Sequence, residues 1–160
     1  MPVIRLATFI TAPPERVFDL ARSIDAHEHS TKQTRERAIA GRTRGLIELG
    51  EEVTWEARHL GTTQRLTVKI SRFERPFRFQ DAMTCGAFKM MTHDHEFIDL
   101  PPGTRMIDRF EFQSPFGILG RAFDRLYLYN YLRRFLIQRN EALKQIAESE
   151  DWQHYLHPHD

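Results

Sequence analysis

The sequence predicts an α+β domain: one antiparallel sheet covered by a long C-terminal helix. Three observations predict it. Between residues 51 and 113 apolar and polar residues alternate in short runs, broken at Gly86 and at "PPG" (101–103). From about Ser114 to Ala147 the period changes, and Leu128, Leu132, Phe135, Leu136, Leu143 and Ile146 recur at helical spacing. A helix of that length spans about 45 Å, and only a sheet is large enough to cover its apolar stripe.

The elements follow in order. "VIRLATFIT" (3–11) sets Val3, Arg5, Ala7 and Phe9 against Ile4, Leu6, Thr8 and Ile10, the alternation of a strand. "APPERVFDLAR" opens a helix after Thr11 or Ala12, because Pro13–Pro14 fit a first turn whose N–H groups are unpaired in any case. Val17, Phe18, Leu20 and Ala21 give it an apolar face, and "SIDAHEHSTKQ" reads as a second short helix. Six strands come next. "TRERAIAG" (34–41) is the first, and "EEVTWEARHL" (51–60) turns Val53, Trp55 and Ala57 one way. "TQRLTVKISRF" groups Leu66, Val68 and Ile70, and "PFRFQDAMTC" groups Phe77, Phe79, Asp81 and Met83. "MMTHDHEFIDL" and "GTRMIDRFEF" then form a hairpin, and Ser114 before Pro115 marks a cap region for the long helix. Residues 1–150 make one domain, and "DWQHYLHPHD" (151–160), with His154, His157 and His159, is a polar tail. A sheet with all its helices on one face must curl around the last of them, and the gap so formed suits a ligand.

Composition narrows the function. With 160 residues, 41% hydrophobic and 28% charged, the chain is a soluble globular domain. A net charge of +1 excludes a dedicated nucleic-acid binder. Local Arg clusters, "RERAIAGRTR" and Arg133–Arg134, read as solvated faces. Twelve Phe against two Trp and four Tyr suggest a core or cavity lined by unadorned rings. Cys85 is alone, which excludes an internal disulfide and a CxxC-type metal site. The N-terminus is too short and polar for a signal peptide, and no apolar run reaches the roughly 18–20 residues of a membrane span. A cytoplasmic protein without stable membrane insertion is expected. No G-x-S-x-G, P-loop or G-x-G-x-x-G occurs, so triad hydrolysis, phosphoryl transfer and nucleotide-dependent redox chemistry are not expected.

Period two places an unexpected polar set inside the sheet. His93, His95 and Phe97 share one face, opposite the wholly polar Thr92, Asp94 and Glu96, so the histidines point inward. Met106, Asp108, Phe110 and Phe112 share a face on the next strand, and Asp81 lies between Phe79 and Met83. A turn centred on Pro101–Pro102 sets Phe97 against Met106, His95 against Asp108 and His93 against Phe110, and a loop around Gly86 brings Asp81 opposite His93 or one pair away. Arg139 lies in the apolar stripe among Phe135, Leu143 and Ile146, and a buried guanidinium needs an acidic partner. Trp55 and His59 face inward by the same parity.

Three readings fit this set: a satisfied structural network, a polar patch against a ligand, or a catalytic pair with His95 as base and Asp108 fixing its tautomer. His93, His95 and an Asp also have the residue types of a zinc or iron site, but inward strand pairs commonly look like this without metal. No cofactor or metal is expected. The candidate ligand-binding residues are Trp55, His59, Phe77, Phe79, Asp81, His93, His95, Asp108, Phe110, Phe112 and Arg139.

The element order, with "GEEVTWEARHLG", "PFRFQDAMTCGAF", "THDHEF", "GTRMIDRFEFQSPFG" and "YLRRFLIQRNEALK", resembles the SRPBCC (START/Bet v 1-like) superfamily over nearly the whole chain. Within it the sequence is similar to the bacterial branch labelled ligand-binding, polyketide-cyclase-like or "cell division inhibitor". That resemblance implies a helix-grip fold, seven antiparallel strands around the long helix, and an internal site for a hydrophobic or amphipathic small molecule. It implies no particular catalytic residue. The expected function is a carrier or sensor of a lipid or polyketide-like molecule. The alternatives are a cofactor-independent cyclase or dehydratase using the His–Asp pair, and a protein-interaction module linked to cell division.

Overall fold

The computed structural model describes residues 1–156 and contains a single seven-stranded antiparallel sheet ordered β1-β7-β6-β5-β4-β3-β2. The strands are β1 (Val3–Ile10), β2 (Arg37–Gly41), β3 (Glu52–His59), β4 (Thr62–Glu74), β5 (Arg78–Cys85), β6 (Met90–Leu100) and β7 (Gly103–Gln113). Two short helices, α1 (Pro14–Ala21) and α2 (Ile24–Ser30), follow β1. A helical run then returns the chain across the sheet as α3 (Gly117–Phe123), a π turn (Asp124–Leu128) and α4 (Tyr129–Glu148). This is the predicted helix-grip architecture. No helix among the described residues is long and apolar enough to cross a membrane.

Local chemistry explains the elements. In β1, Ile4 and Ile10 are fully buried while Arg5 faces solvent. Pro13 caps α1, Pro14 sits at its first position, and Glu15 favours the positive end of the helix dipole. Ser23 caps α2, its hydroxyl accepting the Ala26 N–H at 3.1 Å. The alternation of β6 and β7 is unbroken from residue 91 to 97 and from 104 to 112, so their inward residues form two adjacent rows.

The sheet curls where pairing slips. Ile70 pairs with Asp81 and Arg72 with Gln80, which leaves Ser71 as an extra residue. This bulge reverses the parity of the rest of β4. Phe73, which continuous alternation with Ile70 would turn outward, meets Phe18 of α1 edge-on at 5.3 Å. Phe18 is fully buried and also meets Phe79 at 5.3 Å and Phe97 at 5.2 Å. It clamps α1 to the sheet. Phe18→Ala is expected to destabilise the protein by about 3–5 kcal/mol, read as a lower urea midpoint at unchanged slope.

Three local expectations are corrected. Phe77 lies in the turn before β5, its N–H donating to the Glu74 carbonyl at 2.7 Å, and it is 64% exposed. Alternation holds only while a strand is paired, and pairing begins at Arg78. Ser114 does not cap α3; Phe116, at φ +75°, takes that position. Instead, both the N–H and the hydroxyl of Ser114 donate to the buried Asp124 of the π turn. Residues 151–160 are not uniformly a tail, since Trp152–Leu156 form helix α5. Trp152, Tyr155 and Leu156 pack against the core, and the Arg16 guanidinium lies 4.1 Å over the Trp152 ring. His154 lies on α5, whereas His157 and His159 fall outside the described residues.

Candidate functional site

The hairpin register is the predicted one. His95 pairs with Asp108, Phe97 with Met106 and His93 with Phe110, while Asp81 pairs with His93 across β5 and β6. All these side chains lie on the helix-covered face of the sheet. Asp108 is fully buried and is the centre of the polar set. His93 Nε2 donates to its Oδ1 at 2.7 Å, and Asn140 Nδ2 of α4 donates to its Oδ2 at 2.6 Å. The close bond is therefore the diagonal one, from His93. The directly opposed His95 brings Nδ1 within 3.2 Å of Oδ1, the distance of an ion pair but outside hydrogen-bond alignment. His95 Nε2 faces the other way, 3.3 Å from Asp81 Oδ2. Phe79 stacks on the His95 ring at 4.3 Å, which fixes its plane.

The electrostatics follow from this placement. Burial opposes ionisation of Asp108, but the bond from His93 and the close approach of His95 outweigh it and hold the carboxyl well below the usual range. Burial, and then the neighbouring His95, push the His93 imidazole down to about 4, so it is neutral with its proton on Nε2. Burial also opposes protonation of His95, yet Asp108 and Asp81 on either side outweigh it and raise its pKa. Asp81 is held low by His95 against its own burial. The two carboxylates on either side of His95 thus favour its protonated form, and a neutral imidazole and an amide flank the set.

Asp81, His93 and His95 bring one ligand atom each to within 4.8 Å of one another, so among the described residues they are the group that could hold a metal ion. The His95 imidazolium already lies between the two carboxylates and offsets part of their charge.

Arg139 stands apart. It is 5% exposed, yet its closest contacts are a 3.4 Å hydrogen bond to Asn140 Oδ1 and a 3.8 Å approach to Asp108. A guanidinium has five N–H donors, and most of those on Arg139 remain uncommitted. It lines a small interior cavity of about 40 Å³ with Asp81, Phe79, His27 and Trp55. Trp55, stacked on His27 at 4.1 Å, also lines a second cavity of about 100 Å³ with Phe110, Leu132 and Leu136. His59, Gln64, Phe88 and Leu132 are shared between that cavity and a third of about 480 Å³, which opens between the β3–β4 turn and α3. Its wall is apolar apart from a few groups, chiefly His59, whose Nδ1 is 2.8 Å from the Tyr131 hydroxyl. Burial holds the His59 imidazole down, with Glu36 opposing. Shared walls set the three cavities in a string from a wide apolar mouth to Arg139 and Asp81, but the smallest meets the second only at Trp55.

The candidate residues separate accordingly. Trp55, His59, Phe79, Asp81, Phe110 and Arg139 line this string. His93, His95, Asp108 and Phe112 are buried behind it and line none of the three cavities. Phe77 is outside altogether. Sequence reasoning missed Asn140, though it falls on the same stripe, four residues after Leu136 and three before Leu143. It also missed Tyr131 and the buried Glu36, which lies 3.3 Å from His27.

No family model and no curated protein matches the sequence. Solved structures do match the fold. TTHA0849 from Thermus thermophilus superimposes with a TM-score of 0.74 at 20% identity, over 90% of this chain and 95% of that one. The Zhui aromatase/cyclase from Streptomyces sp. R1128 gives 0.73 at 13%, over 92% and 93%. Ginseng major latex-like protein 151 from Panax ginseng gives 0.68 at 12%, over 92% and 98%. These neighbours are SRPBCC, Bet v 1-like proteins, and at such identities the likeness establishes for this chain the helix-grip fold they share.

Proposed function

We propose that this protein binds an amphipathic small molecule, lipid-like or polyketide-like, as a carrier or sensor. The apolar body occupies the mouth and waist of the cavity string, and an acidic or enolic oxygen reaches Arg139. One observation carries this reading: a buried guanidinium with uncommitted donors lines a small cavity that only Trp55 divides from the apolar ones. Such a group binds an anionic oxygen more tightly than water can compete with, and a ligand lacking that oxygen leaves it unpaired. The cavity at the mouth, about 480 Å³, falls within the usual size range of ligand sites.

The test compares a fluorescent long-chain fatty acid with its methyl ester. The acid is expected to bind at least about tenfold more tightly, and Arg139→Gln is expected to erase the difference while the ester still binds. Equal affinity of acid and ester for the unaltered protein, or binding of neither, overturns the reading.

A cofactor-independent cyclase or dehydratase is the second reading, in keeping with the aromatase/cyclase among the neighbours. The observation favouring it is His59, paired with Tyr131 and facing the apolar mouth cavity with its pKa lowered, as suits a neutral general base. His95 and Asp108 lie too deep to meet a substrate in these cavities.

A further inference from the structure

The cavity mouth is ringed by apolar side chains that nothing covers. Phe116 is 83% exposed, Leu119 80%, Leu126 79%, Ile118 75%, Tyr127 52% and Phe123 43%. Leu119, Phe123, Leu126 and Tyr127 recur at three- and four-residue spacing and so share one helical face. Phe116, Leu119 and Phe123, with Leu60 of the facing β3–β4 turn, form the lip of the opening itself. Soluble proteins seldom expose so many large apolar residues together without a partner for them.

The charges around this face have one sign. The β3–β4 turn, the β5–β6 loop and the α3–α4 segment meet at this end of the sheet. They carry Arg58, Lys89, Arg121, Arg125, Arg133 and Arg134, all exposed, and none forms an ion pair among the described residues. Between residues 114 and 138 the single acid is Asp124, which is fully buried and bound to Ser114. The whole chain carries only +1, so this end is strongly polarised.

We propose that this face docks reversibly on an anionic phospholipid bilayer. Apolar side chains enter the boundary between headgroups and acyl chains, and the arginines spread around them hold anionic headgroups. A second copy of the chain is a poorer occupant. A two-fold interface sets the same patch against itself, and here that places six unpaired cations against six. Docking so oriented turns the 480 Å³ opening toward the bilayer, so that an apolar ligand passes between lipid and protein without crossing water. The last step rests on the ligand-binding reading; the docking does not.

Vesicle flotation of the ligand-free protein tests it, using phosphatidylcholine alone and phosphatidylcholine with about one third phosphatidylglycerol. Binding to the anionic vesicles is expected, at least about tenfold stronger than to the neutral ones and weakened by salt. Arg121→Glu with Arg125→Glu, and separately Ile118→Asp with Leu126→Asp, are each expected to weaken it at least tenfold. All four residues are exposed and none lines the three cavities of the string, so thermal unfolding and fatty-acid binding serve as controls and should not change. Failure to bind anionic vesicles, equal binding to both compositions, or indifference to the Leu126 and Ile118 changes overturns the proposal. So does a dimer, seen by sedimentation, that these variants dissociate while vesicle binding is absent; the face is then an interface between copies.

Discussion

Asp108→Ala is expected to cost about 3–5 kcal/mol of folding free energy, the largest effect of any single polar substitution in this protein. The carboxylate is fully buried; it accepts hydrogen bonds from His93 at 2.7 Å and Asn140 at 2.6 Å and is the counter-charge to His95 at 3.2 Å and Arg139 at 3.8 Å. Alanine removes few apolar contacts. Its cost is the burial of an imidazolium and a guanidinium without their shared counter-charge. Urea unfolding checks it, with two comparisons. Asp108→Asn keeps the shape and one acceptor but not the charge, and is expected to recover little. Asn140→Ala removes one donor and leaves the charge balance, and is expected to cost only about 1–3 kcal/mol. Equal effects of Asp108→Asn and Asn140→Ala would show that hydrogen bonds, not charge, govern the network.

Stability is expected to peak near pH 6.5 and to fall on both sides for opposite reasons. His93 titrates at about 4 when folded and near 6.5 when unfolded, so between those values the unfolded chain binds more protons and stability rises with pH. That window is worth about 3 kcal/mol for a shift of this size. His59, also held low, acts in the same direction, and the depressed Asp108 and Asp81 continue the loss below pH 4. His95 works the other way. Its folded pKa is raised, so its stabilising charge is complete below 6.5 and is lost as pH climbs through the folded value. Unfolding free energies measured across pH check this. His93→Gln is expected to flatten the acid limb and His95→Gln the alkaline limb. A curve whose alkaline limb survives in His95→Gln would remove His95 from the account.

Much of this was legible in the sequence, because period two is a rigid rule in paired strands. It placed His93, His95, Asp108 and Asp81 on the inner face; the turn at Pro101–Pro102 fixed the register of the β6–β7 pair, while the Gly86 loop left Asp81 opposite His93 or one pair away. The rule failed where pairing stops or slips: Phe77 sits in the turn ahead of the paired residues of β5, and Phe73 lies beyond the Ser71 bulge. Bonding between side chains was less legible than facing. Opposed residues were paired in the reading, yet the short bond runs diagonally from His93, because Asn140 and His95 compete for the remaining oxygen positions. Depth was not legible at all. Parity separates inside from outside but does not distinguish Arg139, at the end of a cavity, from His95, sealed behind Phe79.

The π turn has a geometric consequence for the long helical run. Its buried residues recur every four positions: Gly120, Asp124, Leu128, Leu132 and Leu136. At about 100° per residue, a straight α-helix would carry the first of these about 160° out of line with the last. A wider turn rotates less per residue and takes up that drift. One rod can therefore keep its inner edge straight along the barrel while its far end holds a second, greasy edge aimed outward.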